Sequence, residues 1–129
     1  MPSRVLVVED SPVVRRVMLN HINAYPLNCY AVTTGEEAVD LAEYFDLILL
    51  DVQLPGISGL EAAMQIRLKE AKKQLQPVAI VATTTLSNRA ECLMAGMNDY
   101  ISKPVLPGDI SRILNDWVFR RPQQLRELG

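Results

Sequence analysis

Apolar positions along this chain keep two different rhythms. Arg4-Val5-Leu6-Val7-Val8 is short, β-branched and apolar, and it halts at Glu9-Asp10. Such a run reads as a buried strand. Ser11-Pro12 then supplies a hydroxyl cap and a proline suited to the first helical position. Val13, Val14, Val17, Met18 and Ile22 keep helical spacing to about Ala24, where Tyr25-Pro26 interrupts it. Asn28 to Val32 predicts a second strand, and Gly35 to Tyr44 a helix with Ala38, Val39, Leu41 and Ala42 on one stripe. Leu47-Ile48-Leu49-Leu50 is apolar at every position and ends at Asp51. That pattern implies burial on both faces, as in the middle of a parallel sheet.

The second half repeats the alternation. Leu54-Pro55-Gly56-Ile57-Ser58-Gly59 reads as a loop, followed by a long helix to about Leu75. Val78 to Ala82 predicts a fourth strand, succeeded by Thr83-Thr84-Thr85 and a helix from about Ser87 to Gly96. Tyr100-Ile101-Ser102 is a short fifth strand ending at Lys103-Pro104, and Ile110, Ile113, Leu114, Trp117 and Val118 mark the last helix. Five strands alternating with five helices predict one α/β domain: an open, mostly parallel sheet with helices on both faces. The domain is expected over 1–119, with 120–129 a C-terminal tail or linker.

Composition narrows the function. The 129 residues carry 13 Lys+Arg against 15 Asp+Glu, with 49% hydrophobic and 22% charged residues, the profile of an ordinary soluble globular domain. A pI near 5.4 argues against direct nucleic-acid contact. Apolar runs fall far below the ~18 residues of a membrane span, and Met1-Pro2-Ser3-Arg4 lacks the layout of a signal peptide. Cys29 and Cys92 are too few for a disulfide framework or zinc site and read as packed thiols of a cytoplasmic protein.

Chemistry collects where the strands end. In open α/β sheets ligands sit beyond the carboxyl ends of the strands, where the strand order reverses. Those ends here are Glu9-Asp10, Asp51, the threonine cluster from Thr83, and Lys103. Carboxylates crowded together repel unless a cation neutralises them. An all-oxygen site suits Mg²⁺, which commonly shares its shell with phosphate oxygens. A lysine opposite adds a second positive contact for a phosphoryl group, and one aspartate is available as nucleophile.

On these residues the chain resembles the receiver domain of two-component response regulators, especially receivers of hybrid histidine kinases and phosphorelays. The matching stretches are Val7-Val8-Glu9-Asp10-Ser11-Pro12, Leu49-Leu50-Asp51-Val52-Gln53-Leu54-Pro55 with Gly59, and Asp99-Tyr100-Ile101-Ser102-Lys103-Pro104. The resemblance implies a flavodoxin-like (βα)5 fold with strand order 2-1-3-4-5. It makes Asp51 the phosphorylation site and assigns Mg²⁺ to Asp10, Glu9, Asp51 and the backbone carbonyl of Gln53. Lys103 would contact the phosphoryl group, and the peptide before Pro104 would be cis. A strand-four threonine and Tyr100 would form the switch. The donor would be a histidine kinase or histidine phosphotransfer protein, and an output partner would dock on the face of the fourth helix, fifth strand and fifth helix.

One spacing departs from the family. An ungapped overlay from Asp51 puts Val81 where the switch hydroxyl belongs, so a longer connection before the fourth strand is inferred and Thr83 assigned, with Thr84 the alternative. Thr85 is a candidate influence on phosphoryl hydrolysis. Three rival functions fit less well. An aspartyl phosphohydrolase needs a second aspartate where Gln53 stands, and a nucleotide-binding module needs a glycine-rich loop where Glu9-Asp10 stands. A pure scaffold has no need of Asp10, Asp51 and Lys103 together. His21 and Trp117 are read as packing residues.

Overall fold

The computed structural model of the protein describes residues 2–85 and 89–120. Its elements are β1 (Arg4–Val8), α1 (Pro12–Ile22), β2 (Asn28–Val32), α2 (Gly35–Leu41), β3 (Leu47–Asp51), α3 (Gly59–Lys73), β4 (Ala79–Thr84), α4 (Arg89–Met94), β5 (Asp99–Ser102) and α5 (Pro107–Leu114). Three helices open on a hydroxyl that accepts an otherwise unpartnered amide: Ser11 from Val14, Thr34 from Glu37 and Ser58 from Glu61. Each such cap is worth about 1 kcal/mol. α3 stops where Gln74 turns left-handed at φ 55°, two residues before the expected end.

All five strands are parallel, in the order β2-β1-β3-β4-β5. The chain leaves β1 for β2 on one side and reaches β3 on the other, so the switch point lies between the carboxyl ends of β1 and β3. Side chains alternate across the sheet. Val5, Val7, Leu47, Leu49, Ala79, Val81 and Ile101 meet α1 and α5 through Met18, Ile22, Ile110, Ile113 and Leu114. Leu6, Val8, Ile48, Leu50, Ile80 and Ala82 meet Ala38, Ala62, Ala63, Ile66 and Cys92 of α2, α3 and α4. Burying one such large side chain stabilises the fold by about 1.5–3 kcal/mol.

The structure revises several expected boundaries. β4 was expected to stop at Ala82 but continues through Thr83 and Thr84, and all six of its residues are buried. The ladder extends because Thr83 lies opposite Asp51 and Thr84 opposite Ser102, and threonine's branched Cβ suits a strand. The second helix gives way at Ala42–Tyr44 to a tighter 3₁₀ turn. α5 continues over Asn115–Phe119 in a wider winding, with the Arg120 amide donating to the Asn115 carbonyl at 2.8 Å. The expected start of the fourth helix at Ser87 and the tail over 121–129 lie outside the described residues. Cys92 is buried and Cys29 half-buried. His21 is half-buried, and Trp117 packs against the α1/α5 core.

Candidate functional site

Strand alternation decides which side chains meet. Glu9, Asp51, Thr83 and Lys103 are each an even number of residues from Val7, Leu49, Val81 and Ile101, the residues that face α1 and α5. All four therefore emerge on the same side of the sheet, just past or at the strand ends. Glu9 is 1% and Asp51 3% exposed, buried enough that their charges need partners.

Lys103 supplies them. Its Nζ lies 2.7 Å from Glu9 Oε1 and 3.0 Å from Asp51 Oδ2. Each carboxylate spends its other oxygen on the loop that follows: Glu9 Oε2 accepts the Ser11 amide at 3.1 Å, and Asp51 Oδ1 the Gln53 amide at 3.0 Å. Burial drives the Glu9 carboxyl above the usual carboxylate range, against the opposing pull of Lys103. Burial would lower the Lys103 ammonium, but its hydrogen bonds to Glu9 and Asp51 outweigh this and raise it. Asp10, exposed at the rim, joins Glu9 and Asp51 in a group whose carboxylate oxygens lie within 4.8 Å of one another. Three carboxylates without a sulfur or imidazole donor form a set that fits a hard cation. Gln53 is exposed beside the pair.

Local sequence explains the framing. Gly59 opens α3 directly under the site, where a Cβ would sit 2.1 Å from the Asp51 carbonyl oxygen; only glycine lets the helix start so close. The Lys103–Pro104 peptide is cis. Thr83 is fully buried beside Asp51, and among the described residues its Oγ1 is the buried side-chain polar atom without a hydrogen-bond partner. Thr84, one residue on, points to the opposite face, with Ile80 and Ala82. Thr85 is exposed.

Three further groups, two beside the site and one at the far end of β5, are not announced by the sequence. Arg15 donates to the Glu9 carbonyl at 3.1 Å; its place one turn into α1 was the available signal. Arg89 lays its guanidinium 5.9 Å from the centre of the half-buried Tyr100 ring. Asp99, quoted only as part of a motif, accepts hydrogen bonds from Arg112 and Trp117, a pairing across 18 residues that no local pattern announces.

Comparison with known proteins accords with this geometry. Residues 5–115 match the response regulator receiver domain. The chain is 33% identical over 119 residues to the sensor protein GacS of Pseudomonas syringae, covering 88% of this chain and 13% of that protein. It is 36% identical over 105 residues to a cyclic di-GMP phosphodiesterase of Thermotoga maritima, covering 78% and 27%. The chain thus spans about a quarter or less of these two curated relatives. Among solved structures, it resembles the Saccharomyces cerevisiae receiver domain of Ssk1, crystallised with the histidine phosphotransfer protein Ypd1 (TM-score 0.85, 31% identity, 90% and 88% coverage). It also resembles the receiver domain of the Pseudomonas aeruginosa sensor histidine kinase PA1611, solved with magnesium in the active site cleft (TM-score 0.79, 35% identity, 92% and 99% coverage). Its fold, the flavodoxin-like (βα)5 sheet in order 2-1-3-4-5, is theirs. The chain belongs to the response regulator receiver domain family of two-component and phosphorelay signalling.

Proposed function

We propose that the chain is a phosphoacceptor switch, in which Asp51 takes a phosphoryl group from a phosphohistidine on a histidine kinase or histidine phosphotransfer protein. One observation carries the reading: a single ammonium, Lys103, bridges two buried carboxylates, Glu9 and Asp51, at the sheet's switch point. An Asp51 carboxylate oxygen attacks phosphorus, the P–N bond breaks, and the imidazole nitrogen keeps that electron pair and takes up a proton. Lys103 then exchanges its bond to Asp51 for one to the new phosphoryl oxygens, stabilising charge where it develops. The complexes of the two similar receivers, one with magnesium and one with a phosphotransfer protein, support this choice of cofactor and donor.

Glu9, Asp10 and Asp51, with the Gln53 carbonyl, are the groups that would hold Mg²⁺. When bound, the cation would neutralise charge on the phosphoryl oxygens. Thr83 is the switch hydroxyl in this reading. A buried, unpartnered hydroxyl costs about 1–3 kcal/mol, and a phosphoryl oxygen on the adjacent Asp51 relieves that cost. This differential contact favours a second arrangement at the end of β4. Tyr100, half-buried beside Arg89, would then move further inward and alter the α4–β5–α5 face offered to an output partner. Residues 1–119 form the switch in this account and 120–129 a tail or linker. Thiols packed inside the fold at Cys29 and Cys92 suit a reducing, cytoplasmic setting.

The test is incubation with Mg²⁺ and acetyl phosphate, read by intact mass. Expected is one added phosphoryl group that depends on the cation and is absent from Asp51→Asn. Uptake by Asp51→Asn equal to that of the unaltered protein overturns the assignment.

A further inference from the structure

The end of β5 remote from Lys103 carries a hydrogen-bonded cluster that the acceptor chemistry does not use. Asp99 stands immediately before Tyr100. One of its carboxylate oxygens accepts from Arg112 of α5 at 3.0 Å and from the Trp117 indole at 3.1 Å; the other accepts the Tyr100 amide at 2.7 Å. Arg112 also reaches the Tyr100 carbonyl at 3.4 Å. Trp117 lies in the widened winding Asn115–Phe119, and that same turn sets Phe119 against Tyr25, ring centres 6.1 Å apart. The peptide groups of Tyr100 and the last turn of α5 are therefore held by one carboxylate.

From this juxtaposition we infer that Asp99 is a positioning residue that couples the state of Tyr100 to the last turn of α5. The inference rests on the phosphoacceptor reading, because the event that moves Tyr100 is the one proposed above. On its other side the Tyr100 ring meets Arg89 of α4. Tyr100 thus sits between a loose contact, one guanidinium on the ring, and a tight one, three donors converging on Asp99. When the ring leaves Arg89, its peptide turns, and the carboxylate bound to that peptide takes the Trp117 indole with it. The last turn of α5 receives a displacement that begins at the opposite end of β5. Four residues of strand, roughly 13 Å, separate Asp99 from Lys103, so a group added to Asp51 lies well beyond hydrogen-bond reach of Asp99. A response there has to travel through the chain.

Trp117 is the only tryptophan of the chain, so its indole N–H gives a single, unambiguous NMR cross-peak. The experiment adds Mg²⁺ and beryllofluoride to the intact chain and follows that cross-peak, with fluorine NMR registering the bound adduct. In the unaltered protein the indole signal should shift as the adduct forms. In Asp99→Asn, which keeps the shape but loses the charge, the adduct should still form while the indole shift is lost; Arg112→Gln, altered on the α5 side, should show a reduced shift should the first variant fold poorly. An adduct with an unmoved indole in the unaltered protein overturns the inference, as does a full shift in a folded Asp99→Asn; where that variant fails to fold, a full shift in Arg112→Gln overturns it. Failure of the adduct to form at all overturns the phosphoacceptor reading itself, and the coupling with it.

Discussion

Replacing Lys103 by methionine removes the cation but keeps most of the aliphatic stem. Glu9 and Asp51, 1% and 3% exposed, would then face each other and Asp10 with no positive partner among the described residues. Breaking a buried pair this way costs up to about 3–5 kcal/mol. The site has its own ceiling, however, because Glu9 can take a proton. Holding a carboxyl of ordinary pKa 4.5 neutral at pH 7 costs 1.36 kcal/mol per unit over about 2.5 units, or about 3.4 kcal/mol. The penalty for Lys103→Met at pH 7 is therefore about 2–3.5 kcal/mol. The same arithmetic at pH 5 leaves under about 1 kcal/mol for that escape. The sign agrees with the raised Glu9 carboxyl, since a group raised on folding favours the fold at low pH and loses that contribution as pH rises through its folded value. Urea unfolding followed by circular dichroism, at pH 7 and pH 5 without divalent cations, measures both gaps. A deficit that is negligible at pH 7, or equal at the two pH values, would refute the claim that Lys103 neutralises buried charge.

Other consequences are as specific. Thr83→Val deletes a buried hydroxyl without a partner, so the unphosphorylated protein should be unchanged or steadier by up to about 1.5 kcal/mol; a loss above about 1 kcal/mol in urea unfolding would mean the hydroxyl is satisfied. Gly59→Ala puts a methyl 2.1 Å from the Asp51 carbonyl oxygen and should cost at least about 3 kcal/mol, where a near-normal urea midpoint would contradict the close approach of α3. The Asp99 carboxyl is held below its usual 3.8: burial opposes this, but hydrogen bonds from Trp117, the Tyr100 amide and Arg112 prevail. Its contribution is present above pH 3.8 and lost as pH falls through the lower folded value. The gap between the unaltered protein and Asp99→Asn, about 1 kcal/mol given the half-exposed Arg112, should thus hold at pH 7 and narrow as pH falls below 3.8 in thermal melts; a gap independent of pH argues against the clamp's charge.

How far the chain can be read from its letters depends on the range of each interaction. β1 and β2 begin and end where their apolar runs do, and β3 continues only through Asp51, because strand period and burial act residue by residue. Ser11-Pro12 marks the start of α1 for the same local reason. Thr83 and Thr84 misled the boundary of β4: hydroxyls suggested a strand end, yet a branched Cβ and ladder partners in β3 and β5 keep them in the sheet. Arg67 and Glu70 look like a solvated helix pair at i, i+3. Folded, Arg67 bonds the Gly96 carbonyl and the Asn98 side chain, while the buried Glu70 accepts the Val78 amide at 2.7 Å. Those partners lie 8 to 31 residues away, beyond any periodic signal. Asp10, Asp51 and Lys103 are legible because strand topology brings strand ends together; the contacts of Arg15, Arg89 and Asp99 are not, because side-chain reach decides them.

The most direct test is chemical mapping of the acceptor atom. Borohydride reduces an aspartyl phosphate to homoserine, so protein treated with a phosphohistidine donor and Mg²⁺, then reduced and digested, should carry homoserine at position 51 and at no other aspartate. Homoserine at Asp10 instead, or phosphate recovered on a serine, threonine or histidine with Asp51 intact, would contradict the account.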